Sequence, residues 1–164
     1  MPPAIRQETA TTGENLYWPL GVPEGGFICL HGSEGGWAGW NDVACALFAG
    51  DGFVALSRNY TRTARPLTWP DIDDVPLEGT QAALAAVRAA VAPFRCGTGL
   101  YGISRGAEHA LLLTQLLAED GCHAEIPAAV AVHSPPDTGW PAFIVADVKT
   151  GGHWTGDADR PAWS

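Results

Sequence analysis

The segment Thr98-Gly99-Leu100-Tyr101-Gly102-Ile103-Ser104-Arg105-Gly106-Ala107-Glu108 constrains the fold of this chain more than any other. A short apolar run leads into Gly-x-Ser-x-Gly, and a stretch apolar almost all round follows from Ala107 to Ala118, the pattern of a helix buried against a sheet. A strand that turns sharply into a helix forces the intervening serine into a strained backbone conformation, and a Cβ at Gly102 or Gly106 would collide with the neighbouring turn. The order is that of a nucleophile elbow, which exposes a serine hydroxyl, here that of Ser104, where a carbonyl can reach it. The helix aims its free N–H groups and the positive end of its dipole at the same point, so negative charge developing on a substrate oxygen is stabilised there. An overlapping Gly97-Thr98-Gly99-Leu100-Tyr101-Gly102 matches G-x-G-x-x-G, but those glycines precede and span the strand instead of opening a helix, and the dinucleotide reading is discarded.

Upstream, Gly26-Phe27-Ile28-Cys29-Leu30 is a continuous apolar run of the kind buried on both faces of a parallel sheet. It closes on His31-Gly32-Ser33-Glu34-Gly35-Gly36, a glycine-rich loop whose uncrowded backbone can present N–H donors to an oxyanion. Trp37 to Gly50 suits a helix, with Trp37, Trp40, Ala44, Leu47 and Phe48 at helical spacing and expected mainly in the core. Trp37 is also a candidate wall of a substrate pocket. Gly52 to Ser57 is the next buried strand, and Tyr60 lies just past its carboxyl end, where ligands bind in open α/β sheets. Tyr60 is therefore a second candidate for substrate contact, with a hydrogen-bonded packing role as the alternative.

Residues 1–24 read as a polar N-terminal arm whose one candidate strand, Leu16 to Leu20, is confined to an edge by Pro19. Thr61 to Asp74 reads as an irregular loop, a partial lid containing Trp69. Pro76 is expected in the first turn of a helix whose buried face carries Leu77, Leu84, Val87 and Val91 and which Pro93 ends. Pro127 to Val132 is a further strand, exposed at an unpaired edge. These pieces make a domain core over 25–135, followed by an irregular, cap-like tail over 136–164 with one short element at most, Phe143 to Val148.

A chain of 164 residues fits one domain. Its net charge of -9 argues against nucleic acid and anionic membrane as partners and leaves small-molecule chemistry. Cys29, Cys45, Cys96 and Cys122 form no C-x-x-C pair and are expected to be buried free thiols, with neither a metal site nor a cofactor implied. Without an apolar signal core after Met1, the expected location is the cytoplasm.

Taken together, Gly26 to Gly36, Gly52 to Leu56, Val75-Pro76-Leu77-Glu78 and Gly102 to Glu108 resemble the C-terminal catalytic domain of acyl-CoA thioesterases and bile acid-CoA:amino acid N-acyltransferases, with dienelactone-hydrolase-like proteins as relatives. The resemblance runs over residues 25–140 and implies an α/β-hydrolase: a mostly parallel sheet with helices on both faces, here truncated, with the final strands and helices missing. It implies a serine or cysteine nucleophile, at the position of Ser104. It also implies oxyanion donors from the backbone of Arg105 and of Ser33, with Glu34 the alternative.

In that fold the acid and the histidine follow the nucleophile in the order Ser, Asp or Glu, His. The Asp-before-His order available here is Asp137 or Asp147 with His153, in a glycine-rich loop that no strand precedes. His109 sits one helical turn past Ser104 and His133 ends a strand, and neither has the expected order. Three readings stay open: a serine hydrolase of esters or thioesters that takes its acid and histidine from a missing segment or second chain, a non-catalytic remnant or binding module, and a self-sufficient enzyme using His153. Acyl transfer to an amine is an alternative outcome of the same acyl-enzyme. The bare strand edge adds the expectation of a homo-oligomer or a partner chain.

Overall fold

Four apolar segments become parallel neighbours in the computed structural model, which describes residues 5–9, 14–61, 75–133, 143–145 and 148–150. They are β3 (Gly25–Leu30), β4 (Phe53–Arg58), β6 (Thr98–Ile103) and β7 (Ala129–His133), within a six-stranded sheet of order β1-β2-β4-β3-β6-β7. Strands β1 (Arg6–Thr9) and β2 (Asn15–Trp18) complete it, β2 running antiparallel to both β1 and β4. The helices are α1 (Trp40–Gly50), α2 (Glu78–Val91) and α3 (Arg105–Glu119). A second, three-stranded sheet joins β5 (Val75–Pro76) to the hairpin of β8 (Phe143–Val145) and β9 (Val148–Thr150).

Alternation along each strand divides the core into two layers. Ile28, Leu30, Val54, Leu56 and Leu100 point to one face, where Leu84, Val87 and Val91 of α2 and Leu112, Leu113 and Leu117 of α3 cover them. Cys29 and Ala55 point to the other, against Cys45 and Ala49 of α1 and the half-buried Phe48. Each fully buried Leu, Ile or Val contributes about 1.5–3 kcal/mol relative to an exposed one, which explains why the apolar runs and not the polar ones became central strands. The helices thus lie on both faces of a mostly parallel sheet, as expected.

Four local expectations are corrected. The strand in the N-terminal arm is interior to the sheet, because Pro19 falls one residue beyond β2 and interrupts no ladder hydrogen bond. The arm also holds β1, which is exposed throughout and has no apolar periodicity to announce it. Pro76 lies in β5 and α2 begins at Glu78, so the proline precedes the helix and does not start it. In the tail, 143–150 carries two short strands in place of one element. The 61–74 loop lies, beyond Thr61, outside the described residues, as does the rest of the tail.

Trp40 and Leu47 are 60% and 66% exposed: α1 turns its small residues, Cys45 and Ala49, toward the sheet and its bulky ones outward. Trp37, in a short 3-10 turn at Gly36–Ala38, is 51% exposed and likewise outside the core. Cys29 and Cys45 are buried free thiols, whereas Cys96 and Cys122 are half-buried. Strand β7 is the expected exposed edge. Among the described residues, no helix is long and apolar enough to cross a membrane.

Candidate active site

The chain leaves β3 toward β4 on one side and returns through α2 to β6 on the other side of β3. Such a reversal opens a crevice between the carboxyl ends of the two strands, here those of β3 and β6. The loop after β3 and the turn after β6 meet in it.

At that turn Ser104 has φ 50 and ψ -116, a conformation that L-residues rarely adopt. Its N–H donates to the carbonyl of His133 at 2.9 Å, and its carbonyl accepts from the N–H of Ala107 at 2.9 Å and of Glu108 at 3.3 Å. The residue is therefore fixed on one side by the neighbouring strand and on the other by the first turn of α3. Both flanking glycines are required by contact. A Cβ at Gly102 would fall against the Gly106 carbonyl and 2.6 Å from the Ala107 nitrogen, and one at Gly106 would lie 2.5 Å from the His31 oxygen and 2.6 Å from that of Leu30.

The loop from His31 to Gly36 lies directly over this turn. A Cβ placed on Gly32 would run into the Glu34 carboxylate and lie 3.3 Å from the Cβ of Ser104, so the loop passes close over the elbow. Gly32 and Gly35 close a turn through the Gly35 N–H and the Gly32 carbonyl at 3.2 Å. The loop's root is held by His31, wholly buried, whose Nδ1 is 2.7 Å from the Gly32 oxygen and Nε2 3.0 Å from Asn59 Oδ1. Its ring stacks on Tyr60 with centroids 4.1 Å apart, and the Tyr60 hydroxyl donates to the His31 carbonyl at 2.8 Å. Burial lowers the His31 pKa against the opposing pull of those two hydrogen bonds, and a neutral ring can donate to one of the two oxygens at a time.

Beneath lies a buried polar layer. Arg105 Nη1 donates to Glu108 Oε2 at 2.7 Å with both side chains buried, and His109 meets Tyr60 edge to face at 4.7 Å. Desolvation, then the nearby Arg58 and Arg105, hold the His109 pKa well below the ordinary imidazole value. Burial pushes the Tyr60 hydroxyl up.

The approach of Gly32 to Ser104 sets the loop that carries Ser33 over the elbow, where the Arg105 backbone starts α3. The Arg105 N–H is one of those a helix start leaves without an intrahelical acceptor. Ser33 is exposed, and the N–H just before it is engaged: Gly32 donates to Glu34 Oε1 at 2.9 Å. Tyr60 is 5% exposed and packs under the loop. Trp37 stands in the solvent-exposed turn that follows the loop. Among the described residues, no three His, Cys, Asp or Glu side chains gather as metal ligands do.

Two residues of the site were not legible in the motifs. Glu34 caps a loop amide, and a carboxylate two residues past His-Gly was the one available sign. His133 was set aside on chain order, yet its strand lies beside the elbow, with Ile103 and His133 in register and the His133 ring exposed.

No protein-family model and no curated protein matches the chain. Solved structures do. Esterase B from Lactobacillus rhamnosis is similar at 21% identity with a TM-score of 0.56, over 84% of this chain and 51% of its own. A dienelactone hydrolase from Anabaena variabilis gives 17% identity and a TM-score of 0.55, over 84% of this chain and 66% of its own. The Francisella virulence factor BioJ gives 16% identity and 0.55, over 82% of this chain and 45% of its own. The chain has the α/β-hydrolase fold of these esterases and dienelactone hydrolases, and spans about half to two-thirds of their length.

Proposed function

We propose that this chain is a serine hydrolase acting on a small-molecule ester or thioester through an acyl-enzyme at Ser104. The observation that carries the reading is the strained Ser104 backbone held directly under the glycine-rich loop. A hydroxyl at such a bend, at the tip of a parallel sheet and at the start of a helix, is placed for attack on a carbonyl.

The Ser104 Oγ bonds to the carbonyl carbon as a base takes its proton, and the carbonyl oxygen becomes an oxyanion held by the Arg105 and Ser33 amides. Because Glu34 already occupies the Gly32 N–H, Ser33 is the loop donor on which the reading relies. Collapse expels the alcohol or thiol with a proton, and water resolves the ester. An amine in place of water would make the same site an acyltransferase. The exposed edge of β7 supports association with a second copy or a partner chain that covers it. The buried free thiols Cys29 and Cys45 fit a reducing, cytoplasmic setting.

A second reading, a ligand-binding module without turnover, is favoured by the same Glu34 contact, since it fills one donor of the loop from within the chain. Incubation with a fluorophosphonate followed by intact-mass and peptide analysis decides between them. A single adduct on Ser104, absent from Ser104→Ala, is expected. An unmodified Ser104 after prolonged exposure, alone and with any co-purifying chain, would replace the hydrolase by the binding module.

A further inference from the structure

If Ser104 is an acyl-accepting nucleophile it needs a base, and the fold offers one that chain order had concealed. We propose that His133, the last residue of β7, is the general base for Ser104, an assignment that rests on the serine-hydrolase reading above. Strand β7 runs parallel to β6 with Ile103 and His133 in register, and the Ser104 N–H donates to the His133 carbonyl at 2.9 Å. Neighbouring strands lie about 4.8 Å apart, so the two residues' backbones are one strand spacing from each other. At that spacing a change of staggered χ1 rotamer moves the imidazole nitrogens over several ångströms, and the proposed proton transfer requires the rotamer that turns the ring toward the Ser104 hydroxyl.

Among the described residues, the other imidazoles are excluded by position. His31 and His109 are 0% exposed and lie beneath the elbow, His31 with both ring nitrogens against oxygen atoms of Gly32 and Asn59. His123 lies in the turn between α3 and β7, at the amino ends of the strands and so at the opposite end of the sheet. His153 is outside the described residues. Along β7, Val130 packs against the core on the face that α3 covers, so Ala131 and His133 alternate to the face that α1 occupies farther along the sheet. Both are exposed, and His133 ends its strand at the carboxyl edge of the sheet.

A histidine on the strand directly after the elbow, ahead of any assigned acid, departs from the usual order of this fold, but the same constellation recurs elsewhere in unrelated orders, so geometry and not sequence order defines the base. In the first half-reaction the imidazole takes the Ser104 Oγ proton as the O–C bond forms, then gives it to the departing alkoxide or thiolate as that bond breaks. In the second it takes a proton from water and returns it to Ser104 Oγ as the acyl-enzyme bond breaks. Nothing is oxidised, and each proton taken is given back.

The test is the rate of Ser104 labelling by a fluorophosphonate at about pH 8 in the full chain, with melting temperature and near-UV circular dichroism as checks on folding. His133→Ala and His133→Gln are each expected to label about 100-fold to 10,000-fold more slowly than the parent, the usual contribution of a general base. Added imidazole is expected to restore labelling of His133→Ala in part, which a packing role would not allow. His123→Ala is expected to label at the parental rate. Labelling of His133→Ala within about twofold of the parent would overturn the assignment while leaving the hydrolase reading standing, and so would normal labelling of His133→Gln or loss of labelling on His153→Ala alone. A parental chain that never labels at Ser104 would remove the hydrolase reading itself, and this assignment with it.

Discussion

Replacing Ser104 by glycine and by alanine separates the strain at the elbow from its chemistry. Both variants lose the hydroxyl, so both should fail to take up a fluorophosphonate. They differ in what the backbone tolerates: at φ 50 and ψ -116 a Cβ is in steric conflict with its own chain, whereas glycine is at home there. Strain of this kind costs about 1–3 kcal/mol. The additional freedom that glycine gives the unfolded chain takes back about 0.5–1 kcal/mol. The glycine variant should therefore be more stable than the alanine variant by up to about 2.5 kcal/mol, the difference of those two ranges being about 0–2.5 kcal/mol. For a chain of this size each kcal/mol moves the melting temperature by about 2–4 °C, so the glycine variant should melt up to about 10 °C higher. Differential scanning calorimetry of the two variants and the parent in one buffer reads it directly. An alanine variant that melts above the glycine variant would show that residue 104 is unstrained, and the argument from an enforced bend would fail.

Two further outcomes follow from the geometry. Gly102→Ala should lower the melting temperature by at least about 6 °C, from an overpacking cost near or above the usual 3 kcal/mol limit, because the added methyl meets backbone atoms of Gly106 and Ala107 that cannot move without opening the elbow. Gly21→Ala, with nothing within 4 Å of the new methyl, should melt like the parent, and equal effects of the two substitutions would contradict the contact argument. Acid should destabilise the fold before its carboxylates titrate. Burial depresses the pKa of both His31 and His109, so below about 6.5 the unfolded chain binds protons that the folded chain refuses. The stability present above that pH is then lost as the pH falls, by up to about 1.4 kcal/mol per pH unit for each imidazole. Urea unfolding at about pH 7.5 and 5.5 measures this, and equal or greater stability at the lower pH would mean that the two rings are protonated in the folded state.

What could be read from the sequence was what depends on short-range pattern. Ile28 to Leu30, Val54 to Leu56 and the elbow announce themselves because a strand buried on both faces must be apolar at every position and a sharp strand-to-helix bend must have glycine where backbone crosses backbone. Strand β1 was invisible for the opposite reason, since Arg6 to Thr9 is held by main-chain bonds to β2 and buries nothing. The outward rings of Trp37 and Trp40 contradicted an inference from hydrophobicity alone: residues as small as Cys45 and Ala49 let α1 lie close on the sheet, and bulky side chains would have pushed it away. The link between β5 and β8 joins segments far apart in sequence, which no local pattern encodes.

His133 illustrates a different gap. Chain order ranks residues by when they appear, whereas a base must be near its nucleophile when the sheet has formed, and parallel pairing of β6 with β7 decides that. The register matters in detail. A slip of β7 by one residue would set Val132 opposite Ile103, turn every side chain of the strand to the other face, and hand Ser104 a different carbonyl to bond. Val130, half-buried against the core on the face that α3 covers, resists the slip. The placement of the His133 backbone beside Ser104 is therefore set in part by an apolar side chain three residues upstream, on the opposite face of the sheet, and the same packing that orders the edge strand holds one end of the elbow.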